Sequence, residues 1–112
     1  MSAKETAAVG QLLELLESRY ALRVLWALKD GHPQTFRLLQ DSIGSITPNT
    51  LNTRIKELRT AGLMTHGTSG YTLTTLGADL LKRMGELPAF AGKWVNSLAK
   101  SSTAKAGTAK KK

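Results

Sequence analysis

Asn49, Asn52, Thr53 and Lys56 stand three or four residues apart, with Thr50 and Arg54 interleaved, in the stretch PNTLNTRIKELRTAGL. Five of the twelve residues from Asn49 to Thr60 are Asn or Thr. These types are mediocre helix formers, because their short polar side chains compete for nearby backbone groups. Yet Leu51, Ile55 and Leu58 fall on one narrow apolar stripe, which predicts a helix. At roughly 100° per residue, Asn49, Thr53, Lys56 and Thr60 point away from that stripe. Asn52 lies on one flank, and Thr50, Arg54 and Glu57 lie on the other. The outer face therefore offers amides and hydroxyls with cations beside them. That chemistry suits the major groove of duplex DNA. Asn can form two bonds to adenine, Thr can bond a base or touch a thymine methyl, and Arg or Lys can reach guanine or phosphate. A face meant only for water would favour i,i+4 Glu–Lys pairs, and few are present. The alternative reading is a solvated face on which Asn and Thr carry no function.

The elements that must position this face can be read around it. Thr47 precedes Pro48, the order of an N-cap followed by proline in the first helical turn. Gly62 marks the stop after Ala61. Upstream, Ala7 to Glu17 reads as a short helix with Val9, Leu12, Leu13 and Leu16 on one stripe, after a frayed Met1 to Thr6. Ser18 is a candidate cap for a second, deeply buried helix, Arg19 to Lys29, stopped by Gly31 and Pro33. Tyr20 and Trp26 are expected in the core. Thr35 can cap a third helix, Phe36 to about Ser42, packing through Phe36, Leu38 and Leu39. Downstream, LMTH and YTLT flank GTSG, the pattern of a hairpin with a glycine-bounded turn. A further helix starts near Thr75 with Leu76, Leu80, Leu81, Met84 and Leu87 as its apolar set. Pro88 interrupts it, and AFAGKWVNSL resumes with Phe90, Trp94, Val95 and Leu98. The expected fold is mainly α with a small β-hairpin, a winged helix-turn-helix spanning residues 1–99.

Charge supports a polyanionic partner. The net formal charge is +8. Residues 1–99 hold eleven Lys/Arg against eight acids, which is +3, and residues 100–112 add five lysines and no acid, which is +5. That Lys/Ala-rich segment, ending in Lys110, Lys111 and Lys112, reads as a disordered basic tail that adds phosphate contacts without base choice. A tail that merely aids solubility is the alternative. The chain has no cysteine, which removes disulfides and thiol catalysis and suits a reducing, cytoplasmic location near the nucleoid. No apolar run reaches the roughly 20 residues of a membrane span, and the first twenty residues do not read as a secretory signal. No phosphate loop, nucleophile elbow or His–carboxylate cluster is present in the sequence, so no enzyme, cofactor, metal or small-molecule ligand is expected.

The run SRYALRVLWALKDGHPQTFRLLQDSIGSITPNTLNTRIKELRTAGLMTH, followed by YTLTTLGADLL, resembles the HxlR-type winged helix-turn-helix transcriptional regulators, within the MarR-like superfamily. The likeness extends from about Leu12 to Leu98. Its most specific parts are FRLLQDSIGSITPNTLNTRIKELRTAGL and YTLTTLG, the close of the wing. The resemblance implies a homodimer held by the N- and C-terminal helices, on a two-fold-related operator. It puts DNA contacts on Asn49, Thr50, Thr53 and Arg54, with Thr47 at a phosphate and the wing at His66 to Ser69, including Thr68. It puts the dimer interface on Leu12, Leu13, Leu16, Leu87, Phe90, Trp94 and Leu98. Two features depart from the family. A cysteine often found near its N-terminus, which in some members senses electrophiles or oxidants, is absent. The wing is also short, so its contacts should be few and mainly to phosphate.

Several residues keep two readings. Arg54 can meet DNA or pair with Glu57 or Glu14. Arg59 suits a structural or phosphate role. His66 can donate to phosphate or simply face solvent, and Phe90 and Trp94 can line a dimer seam or pack on their own domain. At the level of function, the rivals to a sequence-specific regulator are a general nucleoid-coating protein and a winged-helix protein-docking module. A docking face should expose Leu, Phe or Tyr on the fourth helix.

Overall fold

The computed structural model describes residues 2–107, and side chains through 101. Six helices and one hairpin follow in the order α1 (Ala3–Leu16), α2 (Ala21–Ala27), α3 (Phe36–Ile43), α4 (Pro48–Thr60), β1 (Met64–Gly67), β2 (Gly70–Leu73), α5 (Thr75–Arg83) and α6 (Leu87–Gly107). The chain divides into two compact units between Lys82 and Arg83.

In the first unit, α1 begins earlier than its apolar stripe suggests. Ser2 and Glu5 form a reciprocal capping box: Glu5 N–H donates to Ser2 Oγ at 3.1 Å, and Ser2 N–H donates to Glu5 Oε1 at 3.0 Å. Two otherwise orphaned donors are satisfied, so the first turn holds and Ser2 to Thr6 is not the frayed lead-in expected, Met1 lying outside the described residues. No residue of α1 is buried. The cap of α2 is Tyr20 rather than Ser18, and Tyr20 takes a left-handed conformation (φ 75°). It is the only non-glycine with positive φ among the described residues. Tyr20 and Trp26 are half-buried rather than core. Arg19 covers the Tyr20 ring at 4.8 Å and Lys29 the Trp26 ring at 5.1 Å.

The helix-turn-helix core forms where α2 packs on both α3 and α4, while α4 also meets β1. Thr35 Oγ1 caps α3 by accepting Leu38 N–H at 3.1 Å. Leu39 and Ile43 are buried, and Leu38 is 48% exposed. Leu38 sits about 100° around the helix from Leu39 and so leaves the stripe that Leu39 shares with Ile43. On α4, Leu51, Ile55 and Leu58 are all buried, at 3% exposure or less. Burying each such side chain contributes about 1.5–3 kcal/mol.

The hairpin is antiparallel, with Met64 opposite Leu73 and Gly67 opposite Gly70. A third partner joins it. Gln34 exchanges main-chain hydrogen bonds with Tyr71, at 3.0 and 2.8 Å, ahead of α3. Gly70 makes this possible: its φ is 132°, and a Cβ there would lie 2.7 Å from the Gln34 carbonyl oxygen. The hairpin base is then tied to α5 through Thr74, which donates from its hydroxyl to Gly62 O at 2.6 Å and accepts Gly77 N–H at 3.0 Å. On α5, Gly77 and Leu81 are buried, whereas Leu76 is 60% exposed.

In the second unit, Pro88 lies in the first turn of α6, where its missing N–H costs nothing. The composition from Lys100 onward predicts a disordered tail, but α6 is helical through Gly107. Ala and Lys in that stretch are good helix formers and extend an existing helix at low cost. Lys110, Lys111 and Lys112 lie outside the described residues.

Candidate nucleic-acid interface

Thr47 starts α4 as expected. Its Oγ1 accepts Thr50 N–H at 3.2 Å and lies 2.9 Å from Thr50 Oγ1 as a hydroxyl–hydroxyl hydrogen bond. One of the two hydroxyl protons serves this bond. The pair therefore retains one more proton that can be donated to a phosphate oxygen. Pro48 follows at the first helical position.

The three buried aliphatics turn the opposite face of α4 outward. Asn49, Asn52, Thr53, Lys56 and Thr60 are all exposed. Thr53 Oγ1 donates to Asn49 O at 3.0 Å. With its proton committed, Thr53 offers lone pairs and a methyl group. The side chains of Asn49, Asn52 and Lys56 form no hydrogen bond or ion pair with any described residue. Both amides keep their donors and acceptors for an outside partner.

Arg54 is placed differently from its neighbours. Its side chain is 19% exposed and ion-pairs with Glu57 through Nη1. Its Nε–H donates to Arg19 O at 2.9 Å. Of the two intramolecular pairings open in the sequence, the one with Glu57 is formed rather than the one with Glu14. Because Arg54 balances Glu57, the free charge on α4 is that of Lys56 and Arg59.

Those two cations border a groove of about 420 Å³ between α4 and the hairpin. Asn52, Lys56, Arg59 and Thr60 line it from the helix, and Thr65 and Tyr71 from the strands, over buried Ile55 and Met64. No acid lines it. His66 is exposed and stacks on its cross-strand partner Tyr71, with centroids 4.1 Å apart and planes at 14°. Thr68 and Ser69 form the exposed hairpin tip. Sequence reasoning missed Thr65 and Tyr71. Strand alternation puts Tyr71 on one hairpin face with Met64 and His66, and Thr65 on the other, so that signal could have pointed to Tyr71 but not to Thr65.

Each unit also carries exposed apolar residues. On α1, Leu12 and Leu13 are exposed and Leu16 is half-buried. On α6, Phe90, Trp94, Val95 and Leu98 are 50–59% exposed, and Leu87 is exposed at 39%. Among the described residues no three His, Asp or Glu side chains gather into a metal-holding group, and no helix is long and apolar enough to cross a membrane.

A capped helix-turn-helix, followed by a hairpin that flanks the second helix, is a winged helix-turn-helix, the fold of a broad class of transcription regulators. Residues 9–85 match the family described as methanogenesis regulatory protein FilR1, N-terminal domain, and the chain belongs to that family. It is also similar to the transcriptional regulator YodB of B. subtilis. The quinone-bound YodB structure superposes with a TM-score of 0.69 at 26% identity, covering 78% of this chain and 98% of YodB. The reduced form gives 0.64 at 26% identity, covering 81% and 91%. No curated protein matches the chain. Family and structural neighbours alike are regulators, and the chain stands with them rather than with enzymes.

Proposed function

We propose that the protein is a sequence-specific, double-stranded-DNA-binding transcriptional regulator of the HxlR type. It works as a homodimer, with α4 in the major groove. The observation that carries this reading is the outer face of α4: exposed amides and a lysine that form no bond within the described chain. Asn49, Asn52 and Thr53 read base edges. Thr47, Thr50, Lys56 and Arg59 hold phosphates, and His66, Thr68 and Ser69 add backbone contacts from the wing. The apolar residues of α1 and α6 form the seam between two copies, which sets the spacing of two half-sites. A cytoplasmic, nucleoid-associated location follows from that role.

Quinone binding belongs to YodB. A thiol-based response has no counterpart here, since the chain lacks cysteine. The polar α4 face weighs against a protein-docking module, which would expose large apolar groups. A coating protein of weak sequence preference is favoured by one feature, the five lysines of residues 100–112.

Selection of binding sites from random duplexes, read at two salt concentrations, separates these. A regulator enriches a two-fold-related site and retains preference at the higher salt. Enrichment of no site, with binding that collapses as salt rises, marks a coating protein. Absence of binding at low salt refutes the DNA reading.

A further inference from the structure

Resting on the DNA reading above, we propose that Arg54 is a positioning residue that fixes the roll of the recognition helix, and not a DNA contact. Its neighbours Thr53 and Ile55 face outward and inward respectively. Arg54 occupies the flank between them and uses two donors of one planar group. Nε–H meets the Arg19 carbonyl at 2.9 Å, and Nη1 meets Glu57. No main-chain N–H among the described residues donates to the Arg19 carbonyl, so Arg54 is its partner. That carbonyl is held by an unusual backbone: the next residue, Tyr20, has φ 75°. A left-handed tyrosine is sparsely populated and persists only where its surroundings enforce it. Here the Arg19 guanidinium covers the Tyr20 ring, and the Tyr20 hydroxyl lies 3.5 Å from Ser45 O, in the turn before α4. The α1–α2 junction is thereby joined to α4 both at its start and at its middle.

The need for such a strut follows from the packing. Leu51, Ile55 and Leu58 form a narrow stripe, and aliphatic contact is non-directional. It holds α4 against the core without sharply fixing rotation about the helix axis. Side-chain ends lie about 5–6 Å from that axis, so a roll of about 15° moves them by roughly 1.5 Å. A displacement of that size exceeds the tolerance of a paired hydrogen bond to a base edge. A hydrogen bond from the flank to a fixed carbonyl resists that roll. Lysine cannot replace arginine in it, because its single ammonium cannot supply two coplanar donors.

The test compares Arg54→Lys and Arg54→Gln with Asn49→Ala in the full chain. Affinity for the selected duplex and for a random duplex is measured across salt, together with the base profile and urea unfolding. Both Arg54 variants should lose roughly 5- to 30-fold on the selected duplex, the range of one or two missing hydrogen bonds. They should keep the wild-type salt slope and near-wild-type affinity for random DNA, and weaken base preference over several adjacent pairs. Asn49→Ala should lose preference at one pair. The proposal is overturned if Arg54→Lys restores binding while Arg54→Gln lowers the slope by about 0.9, the mark of a phosphate contact. It is equally overturned by a loss confined to one base pair, by unchanged affinity, or by equal losses on both duplexes that track reduced folding stability. Wild-type protein that binds both duplexes alike overturns instead the sequence-specific reading on which the strut depends.

Discussion

Replacing Gly77 by alanine should destabilise the protein, against the usual direction for glycine in a helix. Alanine ordinarily gains about 0.8–1.0 kcal/mol over glycine in a helix interior. At Gly77 the added Cβ would stand 2.0 Å from Leu63 O and 3.0 Å from the carbonyl carbon, both main-chain atoms. A carbon–oxygen contact settles near 3.3–3.6 Å, so α5 and the Leu63 backbone must part by about 1.3 Å or more. The same Leu63 carbonyl accepts Thr74 N–H at 3.1 Å. Separation on that scale takes this bond beyond hydrogen-bonding range and leaves a buried acceptor unpaired, at about 1–3 kcal/mol. Overpacking adds about 1–3 kcal/mol. Set against the propensity gain, the net loss is about 1–5 kcal/mol, centred near 3.

Equilibrium urea unfolding measures this directly. With a slope of about 1.5 kcal/mol/M, within the usual range, a loss of 3 kcal/mol lowers the midpoint by about 2 M. Gly10→Ala is the internal control. Gly10 is an exposed helical glycine with nothing within 4 Å of its added Cβ, so that variant should match or exceed the wild type. A Gly77→Ala protein as stable as wild type, at equal slope, would refute the claim that α5 touches the hairpin base backbone to backbone.

Three further outcomes are expected. Asn49→Ala or Thr53→Ala should cost about 1–3 kcal/mol on a selected duplex and relax choice at one base pair; equal loss on all sequences would remove them from base reading. Glutamine at Lys110, Lys111 and Lys112 should weaken binding to every duplex and flatten the salt slope by up to about 0.9 for each phosphate no longer neutralised; an unchanged slope would show that these lysines do not touch DNA. Phe90→Asp with Trp94→Asp should convert a dimer to monomer in sedimentation equilibrium, because two charges in an apolar seam lack partners; a monomeric wild type would dispose of the α6 seam.

What could be read from the sequence was whatever local physics decides. The Thr47–Pro48 start of α4, its Leu51–Ile55–Leu58 stripe, and the two β-rich runs around GTSG each depend on neighbours a few residues away. The capping box at Ser2 and Glu5 was equally local and was hidden only because the apolar stripe begins later than the helix. The features that escaped depend on partners distant in the chain. Arg54 lies 35 residues from the carbonyl it meets. Glu57, one turn along the helix, was a visible partner, but no periodicity discloses a bond to a remote main-chain oxygen. Gln34 is the same case, since its pairing with Tyr71 requires the hairpin to be folded first. Side-chain type told which groups could meet a base, and the fold decided which of them were already occupied. Asn49, Asn52 and Lys56 remain open, whereas Arg54, with the five donors of a guanidinium, is committed to Glu57 and the Arg19 carbonyl. A reading head is thus defined as much by the polar groups its own protein satisfies as by those it leaves bare.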